Sequence, residues 1–416
     1  MRFMKCVFWF RRDLRIHDNT ALSEASERCE KVFPVLVIDP NIMFREDTSP
    51  RRAQFYLEAI KSLRKEIPLT ILYGNPVNLI HEFYKNINSD YLFFNRDYGF
   101  YASRRDSEIC RTVKCLHFKD HVLVERGELP VYRIFTPYYI KWKNVEKERV
   151  KPRASGNFIG EGNEPPELFK GFKIPPASED YALQKLEEFK DDEYPERRSG
   201  LSHFFKIGLL STRTAFHAKV NEEFRRQLCW RDFYYQLYTS DFSLINGIRR
   251  KEIWENKEEI FKAWTEGKTG YPIVDAGMRE LNVTGLMENK LRLLTSYFLT
   301  KVLLIDWRKG MEYFMKNLLD GDFVINLGNW QWIAGVGTDM RPLRKFNIVE
   351  QGKRIDPRGE YIKKWVEELR DVEGPLVHEP WKLGKERVIK IGYVTPIADL
   401  GSYDEFVRRY KGYMET

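Results

Sequence analysis

Apolar runs typical of buried β-strands occur only in the first part of the chain, where they alternate with segments of helical periodicity. The runs span residues 7–10, 32–38, 69–73 and 91–94. Strands that alternate with helices in this way are typical of a parallel, doubly wound sheet. We therefore predict that residues 1–130 form an α/β domain with a doubly wound parallel sheet.

A segment rich in proline and glycine follows this region. The breaks in residues 150–178 include Pro152, Gly156, Gly160, Gly162, Pro165, Pro166, Gly171, Pro175 and Pro176. A connection of this length is unusual within one compact unit, so we predict an interdomain linker over residues 131–178. Helical periods dominate after it, with long helices predicted over 212–238 and 289–305. These periods predict an all-α domain over residues 179–416.

The chain is basic, with 69 Lys and Arg against 61 Asp and Glu and a formal net charge of +8. This balance suits a polyanionic partner such as nucleic acid. A generally basic protein would show the same balance, because the excess is spread along the chain. No apolar run approaches the ~20 residues of a membrane span, and the N-terminus lacks the cleavage site of a signal peptide. These features predict a cytoplasmic protein.

The cysteine pattern argues against both a disulfide scaffold and a zinc site. The five cysteines are Cys6, Cys29, Cys110, Cys115 and Cys229. Their number is odd, they are widely spaced and no C-x-x-C occurs among them. We expect buried, reduced thiols and no metal site.

The common signatures of phosphate, metal and acyl-transfer chemistry are absent from the sequence. It contains no G-x-G-x-x-G, P-loop, H-E-x-x-H or G-x-S-x-G. The predicted α/β domain therefore lacks the glycine fingerprint of a dinucleotide site, and any ligand there would be held in another way.

A series of motifs in the helical part is more specific. The motifs are Trp230-Arg-Asp-Phe-Tyr234, Trp264-Thr-Glu-Gly-Lys-Thr-Gly-Tyr-Pro-Ile-Val-Asp275, Asn289-Lys-Leu-Arg292 and Asp320-Gly-Asp-Phe-Val-Ile-Asn326-Leu-Gly-Asn-Trp330-Gln-Trp332. With Phe8-Trp-Phe-Arg-Arg-Asp-Leu-Arg15 near the N-terminus, they resemble the DNA photolyase and cryptochrome family, in order and over nearly the whole chain. The resemblance implies an α/β domain, an all-α FAD-binding domain and a monomeric carbon–carbon lyase that is class I-like and acts on UV-damaged DNA.

The resemblance also implies which residues bind FAD. Ser199 and Ser202 would contact the phosphates, and Arg292 would pair with Asp320. Asp322 would accept a hydrogen bond from the polar edge of the flavin ring. The full implied set is Ser199, Gly200, Leu201, Ser202, Phe224, Gln227, Arg231, Asn289, Arg292, Asp320, Gly321, Asp322 and Asn326. Read without the resemblance, the Ser-Gly-Leu-Ser run is only a helix-cap signal.

Two further sets of residues follow from the same resemblance. Trp254, Trp307 and Trp330 match the family's chain of electron-transfer tryptophans, and Asn326 would lie near the central nitrogen of the flavin and favour its reduced states. The implied DNA-binding residues are Gln227, Trp230, Arg231, Lys290, Leu293, Trp332, Arg344 and Gln351. The alternative interpretation is that the tryptophans belong to the core and that the charged residues form a solvated surface.

The choice of lesion depends on three positions. Gln227 stands where many dimer-specific relatives carry Glu, whereas Asn289 and Leu293 stand where relatives that repair the (6-4) photoproduct carry histidines. That reaction needs a proton donor, which neither Asn nor Leu supplies. We therefore expect repair of cyclobutane pyrimidine dimers. The alternatives are a (6-4) photolyase, a cryptochrome-type photoreceptor, and a flavoprotein that binds nucleic acid without repair.

A second chromophore is expected in the α/β domain. Folate-binding relatives carry a Glu after the fourth strand, where this chain has Gly99. A flavin or deazaflavin antenna is therefore favoured over folate, and we expect it near Asp39, Arg51 and Asp97.

Overall fold

A computed structural model describes residues 3–190, 199–247, 253–338 and 341–412. These residues form two compact units, one comprising Met1–Phe242 with Asp320–Ile325 and the other Ser243–Leu319 with Asn326–Thr416. The domain boundaries predicted from the sequence are 1–130, 131–178 and 179–416. The two compact units divide the chain elsewhere, and the helices from 179 to 242 belong to the first unit.

The first unit contains a parallel sheet of five strands. The strands are β1 (Phe3–Phe10), β2 (Cys29–Ile38), β3 (Thr70–Tyr73), β4 (Tyr91–Asn95) and β5 (Cys115–Phe118), in the order β3-β2-β1-β4-β5. The predicted doubly wound parallel sheet is confirmed. The fifth strand was not predicted, because its Cys-Leu-His-Phe sequence is short and mixed in polarity.

The helices of the α/β part begin where the sequence places caps. They are α1 (Thr20–Arg28), α2 (Pro40–Met43), α3 (Pro50–Leu63), α4 (Pro76–Ile87) and α5 (Phe100–Ile109). Asp39, Ser49 and Asn75 each accept a backbone N–H from the first turn of the helix that follows, and each is followed by proline. Proline is favoured there because its missing N–H has no partner in the first turn of a helix.

The remaining helices of the first unit follow the sheet along the chain. They are α6 (Phe135–Asn144), α7 (Glu179–Lys190), α8 (Ser202–Ile207), α9 (Thr212–His217) and α10 (Glu222–Ser240). The interpretation of residues 131–178 as a linker did not include α6. The single helix predicted over 212–238 is also wrong, because Ala218 is extended and Asn221 caps a new helix.

The proline- and glycine-rich segment lies against the sheet. The N–H of Ile159 donates to the Val32 carbonyl at 2.9 Å, and the N–H of Val32 donates to the Asn157 carbonyl at 2.9 Å. A Cβ at Gly160 would collide with the backbone of Pro68. Glycine is therefore required where this segment passes the start of β3.

Four of the five cysteines form disulfides, so the expectation of reduced thiols is wrong for them. Cys6 bonds Cys29 with a Cα–Cα distance of 6.1 Å, and Cys110 bonds Cys115 with a Cα–Cα distance of 5.6 Å. Cys229 is free and buried. The pairing of β1 with β2 brings the first two cysteines together, and spacing along the chain does not reveal a sheet contact.

Among the residues that the structure describes, the second unit contains helices and loops but no strand. Its helices are α11 (Glu258–Thr265), α12 (Pro272–Thr284), α13 (Asn289–Tyr297), α14 (Trp307–Asn317), α15 (Phe323–Ala334), α16 (Ile348–Ile355), α17 (Glu360–Trp365), α18 (Lys385–Lys390) and α19 (Ser402–Gly412). The first three residues of α15 are assigned to the first unit. The helix predicted over 289–305 instead changes to a π-helical turn at Phe298–Val302. Within the described residues, no helix is both long and apolar enough to cross a membrane.

Candidate functional site

A buried cluster of charged side chains surrounds Asp322 in the first unit. Asp322 Oδ2 accepts hydrogen bonds from Tyr235 Oη at 2.6 Å, Arg12 Nη2 at 2.9 Å and Lys206 Nζ at 3.2 Å. Burial alone would raise the pKa of Asp322, but the charges of Lys206 and Arg12 outweigh it and hold that pKa well below its usual value. Asp322 is therefore a carboxylate at neutral pH, with three donors on one oxygen.

His121 lies between two guanidinium groups of the same cluster. Its Nε2 is 2.6 Å from Arg12 Nη2 and 2.9 Å from Tyr235 Oη, and its Nδ1 is 2.9 Å from Arg231 Nη2. Burial, reinforced by Arg12 and Arg231, lowers the pKa of His121 well below its ordinary value. A neutral imidazole has one acceptor nitrogen, so it cannot satisfy both guanidiniums at once.

Two buried donors of this cluster, the Nε atoms of Arg12 and Arg231, have no acceptor among the described residues. Both ring nitrogens of the buried His203 also lack a partner, and because burial lowers the pKa of His203 to about 4, its neutral ring offers one donor and one acceptor. A buried donor without a partner costs about 1–3 kcal/mol. This part of the first unit therefore suits an anionic ligand that is rich in acceptor atoms.

The sequence did not single out Arg12, His121, Lys206 or Tyr235. They come from the loop after β1, the loop after β5, α8 and α10. One signal was available for Arg12, because it directly follows the carboxyl end of β1, and ligands of doubly wound sheets bind at such ends. Nothing in the local sequence connects the other three to Asp322.

The predicted phosphate contacts lie on a turn that starts α8. Ser199 Oγ accepts from the N–H of Leu201 at 3.4 Å, and Gly200 has a φ of +64°. Ser202 begins the helix and is exposed, whereas Leu201 is buried. Phe224, at the start of α10, packs against Phe189 with ring centroids 5.0 Å apart.

The predicted antenna residues each contact a different partner at the carboxyl edge of the sheet. Asp39 accepts from the hydroxyl of Tyr101, and Arg12 lies 3.5 Å from Asp97. The guanidinium of Arg51 lies over the ring of Phe172 at 5.5 Å. Asp97 follows β4 and Arg12 follows β1, so their ion pair crosses the point where the strand order reverses.

Two predicted DNA contacts lie close together on α10. Trp230 stacks on Phe135 with centroids 3.5 Å apart and an interplanar angle of 3°. Gln227 is exposed, and its Nε2 donates to Glu223 Oε1 at 2.8 Å. Arg231 is only 8% exposed and points at His121, so its position differs from that of an open phosphate contact.

In the second unit, four predicted residues share the first turns of α13. Asn289 and Lys290 are exposed, whereas Arg292 and Leu293 are half-buried. Arg292 Nε donates to the Met287 carbonyl at 2.8 Å. This hydrogen bond fixes the Nε side of the guanidinium group.

The predicted electron-transfer residues are three tryptophans of the second unit. Trp330 is 1% exposed and Trp307 2% exposed, and Trp254 is half-buried. The ring of Trp330 lies 5.0 Å from that of Phe314 and 6.3 Å from that of Trp264. Among the described residues, no aromatic ring pair includes Trp254 or Trp307.

Asn326 and Gly310 fix the surroundings of α15. Asn326 Nδ2 donates to the Met311 carbonyl at 2.9 Å, and Asn326 is 7% exposed. A Cβ at Gly310 would collide with the indole of Trp330. The amide and the indole are therefore held by α14.

Two of the last predicted DNA contacts, Trp332 and Arg344, lie at an open pocket of the second unit. The pocket has a volume of about 640 Å³ and is lined by Arg341, Pro342, Leu343 and Arg344. The guanidinium of Arg344 stacks over Trp332 at 4.2 Å, a pairing that presents both a flat ring and a cation. Gln351 is half-buried on α16.

Comparisons with known proteins agree with one another. Residues 6–155 match the profile described as DNA photolyase, and residues 224–411 match the FAD binding domain of DNA photolyase. A deoxyribodipyrimidine photo-lyase of Salmonella typhimurium is 35% identical, over 94% of this chain and 95% of that protein.

Solved structures of the same fold include a photolyase and a cryptochrome. An archaeal photolyase from Sulfolobus tokodaii with two FAD molecules has a TM-score of 0.89 and 33% identity, covering 98% of this chain and 100% of that one. A cryptochrome from Synechocystis has a TM-score of 0.87 and 26% identity, covering 99% and 100%.

Proposed function

The chain belongs to the DNA photolyase family, and we propose that it is a deoxyribodipyrimidine photo-lyase that repairs cyclobutane pyrimidine dimers in DNA. When bound, reduced FAD would supply the light-driven one-electron chemistry that opening of the cyclobutane ring requires. A dimer within a duplex must first be flipped out, and photolyases are among the standard examples of this behaviour. The observation that carries the proposal is the group of buried donors without acceptors near Asp322.

The residues of the first unit fit FAD as a ligand. FAD has a pyrophosphate and several carbonyl acceptors, and the Nε atoms of Arg12 and Arg231 and one ring nitrogen of His203 are buried donors without an acceptor. The exposed Ser202 hydroxyl and the turn at Gly200 would bind phosphate oxygens. Asp322 would accept from the polar edge of the ring, because its carboxylate is held ionised.

In the second unit, we propose Asn326 as a residue that tunes the flavin and three tryptophans as an electron relay. Asn326 has its amide nitrogen engaged by the Met311 carbonyl, and this contact fixes the direction of the amide. Trp330, Trp307 and Trp254 are proposed as the relay by which oxidised FAD is photoreduced. Indole suits this role because it is easily oxidised, and the three proposed rings belong to one unit.

The lesion preference is proposed from the side chains that could reach a flipped base. Asn289 and Leu293 lie at the accessible start of α13, and neither is an acid at neutral pH. Gln227 can bond a pyrimidine edge, and Trp230 offers a ring for stacking. Together these residues favour cyclobutane dimers over the (6-4) photoproduct.

A second chromophore is proposed at the carboxyl edge of the sheet. The Arg12–Asp97 pair lies at the strand-order reversal, where doubly wound sheets bind ligands. Asp39 and Arg51 follow β2 along the chain. The Sulfolobus tokodaii photolyase is described with two FAD molecules and a novel light-harvesting cofactor, which supports a flavin or deazaflavin here. We further propose that the protein acts as a monomer in the cytoplasm.

One experiment separates repair from signalling. The holoenzyme, with its FAD photoreduced, is mixed with an oligonucleotide that carries one cyclobutane dimer and is kept under blue light or in the dark. We expect light-dependent loss of the dimer and no loss of a (6-4) lesion in a parallel sample. A photoreceptor of the cryptochrome type would leave both lesions intact.

A further inference from the structure

An aromatic stack continues from Trp230 along α6. Phe135 lies between the rings of Trp230, at 3.5 Å and 3°, and Tyr139, at 5.6 Å and 13°. Phe135 is 7% exposed, whereas Trp230 and Tyr139 are half-buried. The outer rings are therefore accessible, and the middle ring supports them.

The two outer rings are held in place by neighbours. The edge of Phe233 packs on Trp230 at 5.6 Å and 85°, and Tyr139 Oη donates to Glu222 Oε1 at 2.5 Å. Rings that are fixed before binding lose little side-chain entropy when a ligand arrives. The stack is thus a preformed platform.

Two exposed cations lie on this platform. The guanidinium of Arg226 is 5.7 Å from the centroid of Phe135 and 5.8 Å from that of Tyr139, and the side chain is 47% exposed. Lys143 Nζ is 4.8 Å from the centroid of Tyr139. We call Phe135, Tyr139, Lys143, Arg226 and Trp230 the α6–α10 face.

The charge around this face is positive. Arg133, Lys141 and Lys143 are exposed, and none has an ion-pair partner among the described residues. Two acids lie nearby and keep their charge: Glu222 accepts from Tyr139, and Glu223 accepts from Gln227 and lies 3.8 Å from the guanidinium of Arg226. The cations Arg133, Lys141, Lys143 and Arg226 outnumber these two acids. Positive charge next to accessible aromatic rings is typical of surfaces that bind single-stranded nucleic acid.

We infer that the α6–α10 face binds the DNA strand that flanks the lesion, with phosphates on Arg226 and Lys143 and a flanking base against the stack. The inference rests on the proposed function and extends it, because it places DNA contacts on α6, beyond Trp230. Tyr139 would carry the base, and Phe135 would support the ring from behind.

The test varies the DNA flank and the two cations together. Oligonucleotides carry one dimer, with both flanks long or with the 5′ or the 3′ flank cut short, and Kd is measured in the dark with the holoenzyme. The protein variants are Lys143→Gln with Arg226→Gln, and Lys65→Gln as a control at an exposed lysine of the same unit. Melting temperatures equal to wild type establish that the variants are folded.

We expect wild type and Lys65→Gln to lose affinity when one of the flanks is shortened. The double variant should bind the long and the short substrate equally, at the weaker affinity. Between 50 and 200 mM salt, the affinity of wild type should fall by a factor about ten times larger than the factor for the double variant, because two phosphate contacts are missing in the variant.

The inference is overturned if the double variant matches Lys65→Gln in flank dependence and in salt dependence. Such a result would indicate that the α6–α10 face does not bind DNA and is available to a protein partner. Failure of the proposed function looks different, because wild type would then show no preference for dimer-containing over undamaged DNA. The same salt series on undamaged single strands would still test the face in that case.

Discussion

The guanidinium of Arg12 donates to the carboxylate of Asp322 at 2.9 Å, although 310 residues separate them in the sequence. Arg12 also lies 3.5 Å from Asp97. One side chain therefore contacts both the carboxylate proposed to face the flavin and a carboxylate of the proposed antenna region. The loop after β1 connects the two proposed chromophore sites within the first unit.

Replacing Asp322 by Asn should destabilise the protein and reduce its FAD content. The substitution leaves Arg12 and Lys206 buried without their shared carboxylate, and such a break costs about 3–5 kcal/mol. Urea unfolding gives the stability, and the ratio of flavin to protein absorbance gives the FAD content. Asp404→Asn is the control, because the Asp404 side chain is 80% exposed and its loss should change neither quantity. Full FAD content in Asp322→Asn would contradict the assigned role.

The Lys206 ammonium should make stability depend on alkaline pH. Burial lowers the pKa of Lys206 to about 8, despite the attraction of Asp322, and an unfolded lysine titrates near about 10.4. Between these values the unfolded chain binds more protons, so the free energy of unfolding should rise with pH over that window. The measurement is urea unfolding of wild type and Lys206→Met at several pH values. The difference between the two proteins should grow in favour of wild type from pH 8 to about 10.4, and a constant difference would show that Lys206 has an ordinary pKa.

Trp330→Phe should block photoreduction of oxidised FAD and leave repair by pre-reduced enzyme largely intact. Phenylalanine retains a buried ring beside Phe314 but is much harder to oxidise than indole. Photoreduction is followed by the loss of oxidised flavin absorbance under blue light. Trp264→Phe is a matched control, because Trp264 is fully buried and lies 6.3 Å from Trp330. Loss of repair along with photoreduction would argue against a relay role.

Reduction of the disulfides should lower stability. The Cys6–Cys29 bridge closes a loop with a sequence separation of 23 and the Cys110–Cys115 bridge one of 5. Loop-closure entropy assigns them about 3 and about 2 kcal/mol respectively. Unfolding with and without reductant measures the sum, and Cys6→Ser with Cys29→Ser isolates the larger part. Cys229→Ala should remain as sensitive to reductant as wild type, and an unchanged transition in reductant would show that the bridges contribute nothing.

The sequence by itself determined four of the five strands, the helical region and the family. β1, β2 and β4 are so apolar that each is expected to be a buried strand, and helical periods alternate with the strands along the chain. The motifs from Trp264 to Trp332 are contiguous stretches of sequence, so the family can be identified from the sequence alone. Proline after Asp39, Ser49 and Asn75 likewise places helix starts from local chemistry alone.

Only the tertiary structure decided which distant side chains meet. Asp322 acquires its partners from three separate elements, and Cys6 meets Cys29 because two strands pair. A helical period alone does not encode the π-helical turn after Tyr297, whereas the capping residue Asn221 was a local signal for the break at Ala218. The physical reason is the same in each case: local sequence sets backbone preference and burial, whereas contacts between residues far apart in the chain exist only once the elements have packed.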